Sequence, residues 1–172
     1  MNINPKLFIL PSNEVSKYGL ENLTYGSLTI KGINLLVKTI KKYKCNNIYG
    51  FDIGCGDGEL IYQINKLIPE SKWEGVEISD HRINCQERDV HIWQGDILDE
   101  NLREYNVIHV DNLCFDDVLE NKLEEKVIRE FNGLYITYRK PINNYFIKNS
   151  IFLESVDTET TWDSHIIHYY FI

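Results

Sequence analysis

The sequence predicts an α/β fold built on a mostly parallel, seven-stranded sheet whose last strand runs antiparallel. Three observations carry that expectation. The stretch Tyr49–Glu59 rises as an apolar run into Phe51 and Ile53, breaks at the alternating glycines Gly54, Gly56 and Gly58, and passes at once into a helical pattern. Strand, glycine turn and helix open a nucleotide-binding α/β unit, because glycines let the backbone turn tightly and bring N–H groups close to a ligand. Short apolar runs then alternate with helical patterns down the chain, as β–α units of a parallel sheet do. The final two apolar runs are joined only by a Thr-rich turn, so the last of them inserts antiparallel.

Each element follows in order. Residues 1–24 show no helical period, and Pro5 and Pro11 favour an extended course, so they read as an N-terminal arm lying over the domain of residues 25–172. Tyr25-Gly26 is a turn. Ile33, Leu36, Val37 and Ile40 then mark an amphipathic helix ending in lysines, cations that suit a helix C-terminus. After the first strand, Leu60, Ile61, Ile64, Leu67 and Ile68 share one helix face, closed by Pro69. Trp73–Ile78 reads as the second strand, the short polar segment 79–89 leaves room for a very short helix, and Val90–Trp93 is the third strand. Tyr105–Val110 is the fourth. Val118, Leu119, Leu123, Val127 and Ile128 give the next helix, Gly133 ends it, and Leu134–Tyr138 is the fifth strand. Residues 141–149 read as a polar loop before the closing pair Ile151–Val156 and His165–Ile172.

A chain of 172 residues is long enough for one domain with a real core. Its net charge of −8 argues against non-specific binding to nucleic acid or anionic membrane and suits a basic partner. With no signal-peptide pattern and no long apolar run, a soluble, intracellular monomer is expected. The cysteines Cys45, Cys55, Cys85 and Cys114 form no C-x-x-C pair, so reduced thiols are expected and no metal site.

The glycine turn also points to a ligand. The spacing is G-x-G-x-G led by Asp52, not the G-x-G-x-x-G of dinucleotide sites, and no P-loop lysine follows. Asp57 and Glu59 flank the last glycine, where acids would repel a phosphate. A cationic ligand without phosphate fits better, and S-adenosylmethionine (SAM), with its sulfonium and ammonium, is one. The motif resembles motif I of the class I SAM-dependent methyltransferases, which have a Rossmann-like fold. On that reading Glu77, about 20 residues past the turn, holds the ribose hydroxyls, while Asp96 and Ile97 hold the adenine. Asp111 and Asn112 follow the fourth strand, where side chains face the ligand crevice, and are acceptor-site candidates or simply helix caps.

Several further pieces resemble the non-SET histone lysine methyltransferases of the disruptor-of-telomeric-silencing, or Dot-one-like, family. Tyr25-Gly26-Ser27 is similar to that family's Tyr-Gly-Glu loop, and Val110-Asp111-Asn112-Leu113-Cys114-Phe115 to its Val-Asn-Asn-Phe-Ala-Phe. Arg139-Lys140-Pro141 matches its Ser-Lys-Pro, and Trp162 followed after six residues by Tyr169-Tyr170 matches its last strand. The resemblance covers residues 18–172. It implies that Tyr25 and Gly54, Gly56 and Gly58 cover the methionine part of SAM, with Asp52 at the head of the motif. It implies further that Asp111, Asn112, Phe115 and Tyr169 shape a channel for a lysine of a basic protein, such as a histone, supported by Trp162. Asp111 would take the amine's proton as a general base. Two other readings stay open: a small-molecule or O-methyltransferase, and a non-catalytic partner subunit of the same fold.

Overall fold

The computed structural model describes residues 4–44 and 46–172, so the reading of Cys45 as a reduced thiol lies outside the described residues. Seven strands form one sheet in the order β3-β2-β1-β4-β5-β7-β6. They are β1 Tyr49–Ile53, β2 Lys72–Glu77, β3 His91–Gln94, β4 Val107–Val110, β5 Leu134–Thr137, β6 Ile151–Glu159 and β7 Ser164–Phe171. The first five pair in parallel, and β7 enters between β5 and β6 antiparallel to both. This is the predicted sheet, antiparallel insertion included.

Helices cover both faces, as a parallel sheet requires. On one face lie α2 (Ile30–Tyr43) and α3 (Glu59–Leu67), which bury Ile33, Leu36, Ile40, Ile61 and Ile64 with Trp73 and Tyr169. On the other lie α5 (Asp117–Glu130) and α6 (Asn144–Asn149), burying Leu123, Val127 and Phe146 with Phe51, Ile108, Tyr135 and Tyr170. Each such side chain contributes roughly 1.5–3 kcal/mol by leaving water. The predicted stripes face the core for the most part, with Leu67 and Val118 left exposed. Between β2 and β3 only one helical turn remains, α4 (Asp80–Ile83), the very short helix expected there.

Two expectations are corrected. The N-terminal arm is not extended: it holds a 3₁₀ turn at Pro5–Phe8, helix α1 (Ser12–Tyr18) and a second 3₁₀ turn at Glu21–Leu23. Pro5 opens its turn and Pro11 directly precedes α1, positions where a missing N–H costs nothing, so these prolines start helices instead of preventing them. The polar loop at 141–149 also contains a helix, α6, started by the Asn143 side chain, which accepts from the N–H groups of Tyr145 (2.8 Å) and Phe146 (3.0 Å). Both helices are too short to print a period and are held by tertiary contacts. Phe146 is fully buried, and Glu14 of α1 accepts from the Ser79 hydroxyl (2.5 Å) and the His81 N–H (3.1 Å).

Candidate functional site

The strand order reverses between β1 and β4, and a cavity of about 400 Å³ opens there, beyond the carboxyl ends of β1, β2 and β4. Open α/β sheets bind ligands at this position. One wall comes from Ile53, Gly54, Glu77, Ile78, Asp96 and Ile97, and the opposite wall from Asp111, Phe115, Leu119 and Lys122. The roof is the arm, through Lys17, Tyr18, Asn22 and Thr24. It is tied down beside α4 by Glu14 and across the mouth by Asn22. The Asn22 amide donates to Asp116 Oδ2 (2.8 Å) and its Oδ1 accepts from the Asp116 N–H (2.8 Å).

Gly54 and Gly56 have φ of +75° and +59°, the left-handed region that glycine adopts without strain. A side chain built on Gly54 would meet nothing within 4 Å, so its backbone is open to the cavity. Gly56 turns inward, and its N–H donates to Glu77 Oε2 (3.0 Å). The Ser79 N–H donates to the other oxygen, Oε1 (2.9 Å), and the Arg82 guanidinium stands 3.7 Å from that oxygen. Glu77 is therefore fixed by the turn it serves, with one lone pair on each oxygen left for a ligand hydroxyl. Arg82 is itself buried, donating to the carbonyls of Leu7 (3.3 Å) and Leu23, and lies 5.1 Å from the centre of the Tyr25 ring. One arginine thus couples the arm, Tyr25 and Glu77.

Burial pushes the Glu77 carboxyl up from its ordinary value, opposed by Arg82 and the two backbone donors. Burial pushes Asp111 up as well, opposed by His109 and the Leu113 N–H. Both carboxyls lie where a cationic ligand would draw them back towards the ionised form. Asp57, beside the turn, is raised by the same cause.

Of the residues expected at a cofactor, Tyr25, Gly54, Glu77, Asp96 and Ile97 line the cavity. Asp96 spends Oδ1 on the Leu98 N–H (2.9 Å) and keeps Oδ2. Gly56 and Gly58 do not line it: Gly56 lies beneath Tyr25, and Gly58 heads α3 against Val90. Asp52 does not line it either, because its Oδ1 accepts from His109 Nδ1 (2.7 Å) in the strand pair below the turn. Of the expected acceptor residues, Asp111 and Phe115 form the wall. Asn112 and Tyr169 are corrected. Asn112 is wholly buried and ties β4 to β5, its Oδ1 accepting from the Thr137 hydroxyl (2.8 Å) and the Tyr138 N–H (2.9 Å) while its amide donates to Glu120 (2.5 Å). Tyr169 points to the α2 face, packed in the core, since alternate residues of β7 face opposite sides and Tyr170 takes the other. Trp162, 45% exposed, lies against Gly26 and covers the Tyr-Gly loop from outside.

Sequence reasoning missed Arg82, Tyr18, Asn22, Lys122 and the pair His109–Tyr138. The arm residues were hidden with its helix. His109 had a signal: it is the one polar residue in the run Val107-Ile108-His109-Val110, and parallel strands buried on both faces read as continuous apolar runs.

The family model described as "Methionine biosynthesis protein MetW" matches residues 37–142, more than half of the chain. No curated protein matches it in sequence. Among solved structures, the fold is similar to the sugar N-methyltransferase KedS8 from Streptoalloteichus sp ATCC 53650, at 16% identity over 64% of this chain and 48% of that one, TM-score 0.53. A SAM dependent methyltransferase from Aquifex aeolicus aligns at 11% identity over 78% of this chain and 88% of that one, TM-score 0.58. The plantazolicin methyltransferase BpumL, in complex with a triazolic desmethylPZN analogue and SAH, aligns at 20% identity over 77% of this chain and 54% of that one, TM-score 0.54. The chain spans about half the length of KedS8 and BpumL. The fold is that of the class I SAM-dependent methyltransferases, and among the described residues no helix is long and apolar enough to cross a membrane.

Proposed function

The chain belongs to the MetW family, and from that premise we propose that it is a SAM-dependent methyltransferase acting on a small-molecule acceptor. The observation that carries this is the cavity itself. Its open glycine face at Gly54, the anchored carboxylate of Glu77, the free oxygen of Asp96 and the apolar pair Ile78 and Ile97 form one wall. That set fits an adenosyl group with a cationic tail: Glu77 for the ribose hydroxyls, Asp96 for the exocyclic amine, the two isoleucines for the purine faces. A volume near 400 Å³ is in the range of small-ligand sites. Once bound, SAM supplies a methyl group on a sulfonium.

The chain's own part is alignment, exclusion of water and handling of a proton. The arm roofs the site through Tyr18 and Thr24. Phe115 and Leu119 present apolar surface to the acceptor, and Asp111 stands on the same wall to hold its proton. A cavity of this size roofed by the arm favours a small acceptor over a protein segment. The family's description, methionine biosynthesis, is small-molecule metabolism and supports the same choice, as do the sugar and plantazolicin methyltransferases of like fold. The protein-lysine reading rested on a channel shaped by Asp111, Asn112, Phe115 and Tyr169; Asp111 and Phe115 line the cavity, whereas Asn112 and Tyr169 are committed to the core.

Calorimetry with SAM and with S-adenosylhomocysteine (SAH) tests the first half of the proposal. Glu77→Gln should weaken both by roughly 10-fold or more, because a charged acceptor for two hydroxyls is replaced by a neutral one; wild-type protein that binds neither ends the methyltransferase reading. Transfer of labelled methyl to a panel of small amines, alcohols, thiols and acids, run beside core histones, tests the second half. Label on the histones alone would restore the lysine reading.

A further inference from the structure

Behind the Asp111 wall lies a second, much smaller cavity of about 20 Å³. Tyr25, Gly26, Gly54 and Asp111 line both cavities, so the two meet at Asp111. The small one is otherwise edged by Asp52, His109, Tyr138, Cys55 and Ser27. Its volume suffices for one water, and its lining offers more than the two polar partners a buried water needs.

The groups behind it form an ordered chain. Asp52 Oδ1 lies 2.7 Å from His109 Nδ1, and both side chains are almost wholly buried, at 4% and 3% exposure. The carboxylate accepts there, so Nδ1 carries the hydrogen and Nε2 is left as an acceptor. Nε2 faces the Tyr138 hydroxyl at 3.4 Å. Tyr138 is in turn fixed by His165, which stacks on its ring at 5.9 Å and donates from Nε2 to its carbonyl (2.9 Å). Nothing in the cofactor wall uses this chain. A histidine in the middle of a buried parallel strand is costly to keep unless it is paired.

We propose that Asp52, His109 and Tyr138 are a proton store behind Asp111, and that the acceptor is therefore one that enters with a proton on its attacking atom: an ammonium, an alcohol or a phenol, not a thioether or a tertiary amine. This rests on the methyltransferase reading for its purpose. The X–H bond of the acceptor breaks and an O–H bond forms on Asp111. Asp111 passes that proton to the water in the small cavity. The water gives one proton to the Tyr138 oxygen, and Tyr138 gives its own to His109 Nε2. Asp111 is again a carboxylate, the water and Tyr138 are restored, and His109 is an imidazolium held against Asp52. One proton has moved and no electrons have. His109 suits the end of such a path because its Nε2 is an acceptor 3.4 Å from the Tyr138 hydroxyl, while Asp52 holds its Nδ1–H at 2.7 Å. Asp111 touches the acceptor cavity and is the catalytic group here. His109, Tyr138 and Asp52 are positioning residues that act through it.

The test reads His109 directly, in the full chain with SAH added. Imidazole nitrogen NMR should show His109 in the Nδ1–H tautomer, with Nε2 unprotonated. Asp111→Asn should shift the His109 nitrogen resonances, because the small cavity both side chains line loses its carboxylate. Tyr138→Phe keeps the ring and removes only the hydroxyl, and should shift the Nε2 resonance. A His109 that holds the Nε2–H tautomer, or whose nitrogen resonances are the same in wild type and Asp111→Asn, overturns the proposal, as does an Nε2 signal indifferent to Tyr138→Phe. Calorimetry on the same samples separates the two claims. Failure to bind SAM removes the methyltransferase reading, whereas binding with an uncoupled His109 removes only the store.

Discussion

Glu120→Gln is expected to make the protein more stable above neutral pH, and the reason lies in one buried pair. Glu120 and Glu124 stand one turn apart on α5, each about 1% exposed, facing the sheet. Glu124 accepts from the N–H groups of Ile142 (3.0 Å) and Asn143 (2.5 Å). Glu120 receives only the Asn112 amide on Oε1, and its Oε2 accepts no hydrogen bond. Burial, then the neighbouring Glu124, raises the Glu120 carboxyl from 4.5 to about 8. A raised folded-state value means that the native protein holds a proton that the unfolded chain releases. The stability tied to that proton is fully present below about pH 4.5 and is lost as pH rises through about 8. Between pH 7 and pH 9 the loss from this one group is roughly 1 kcal/mol, since the native state gives up its proton over half of that span. In a chain of this size that lowers Tm by about 2–4 °C. Gln mimics the protonated acid, accepting from Asn112 and donating to Glu124. Thermal unfolding of both proteins at pH 7, 8 and 9 checks this: the wild-type curve should fall away from that of Glu120→Gln as pH rises. Titrating groups away from this pair act equally on both proteins and cancel in the difference. Parallel curves would refute the assignment of the proton to Glu120.

Three further outcomes are expected. Gly54→Ala should fold, with a loss of roughly 1–2 kcal/mol from its positive φ, yet bind SAM far more weakly in calorimetry because the new methyl group projects into the cavity. Tyr169→Phe should leave Tm unchanged or slightly raised, since the hydroxyl is buried without a hydrogen-bond partner, and should leave SAM affinity untouched, in contrast to what a channel residue would show. Glu14→Ala should release the arm from Ser79 and His81, at a cost of roughly 1–3 kcal/mol, and appear as faster proteolysis and hydrogen exchange within residues 4–24 before the domain itself unfolds.

What was legible in this sequence follows from how each feature is encoded. The sheet and its large helices announce themselves because burial repeats: Ile33, Leu36 and Ile40 on α2, or Leu123 and Val127 on α5, print a period that tertiary structure only confirms. The cofactor wall was legible for a different reason. A glycine with open space above it and an acid at the next strand end are each demanded at a fixed place by the topology, so Gly54 and Glu77 were found by position along the chain. The acceptor side has no such fixed place. Asp111 and Asn112 are neighbours, yet one faces the cavity and the other is the bolt between β4 and β5. Only the presence of Glu120, Thr137 and the Tyr138 N–H around Asn112 decides between them. The same holds for Tyr169, where a local match of letters gave a channel residue and the strand pleat gave a core one, and the pleat is the stronger constraint because a one-residue slip would turn every neighbour with it. The roof was least visible of all. A seven-residue helix that stands through Glu14 and Arg82 carries its cause some 65 or more residues away in α4, so no window along the chain contains it. On the proposed methyltransferase reading, acceptor specificity resides where the sequence is least readable, in the arm and the β4 end.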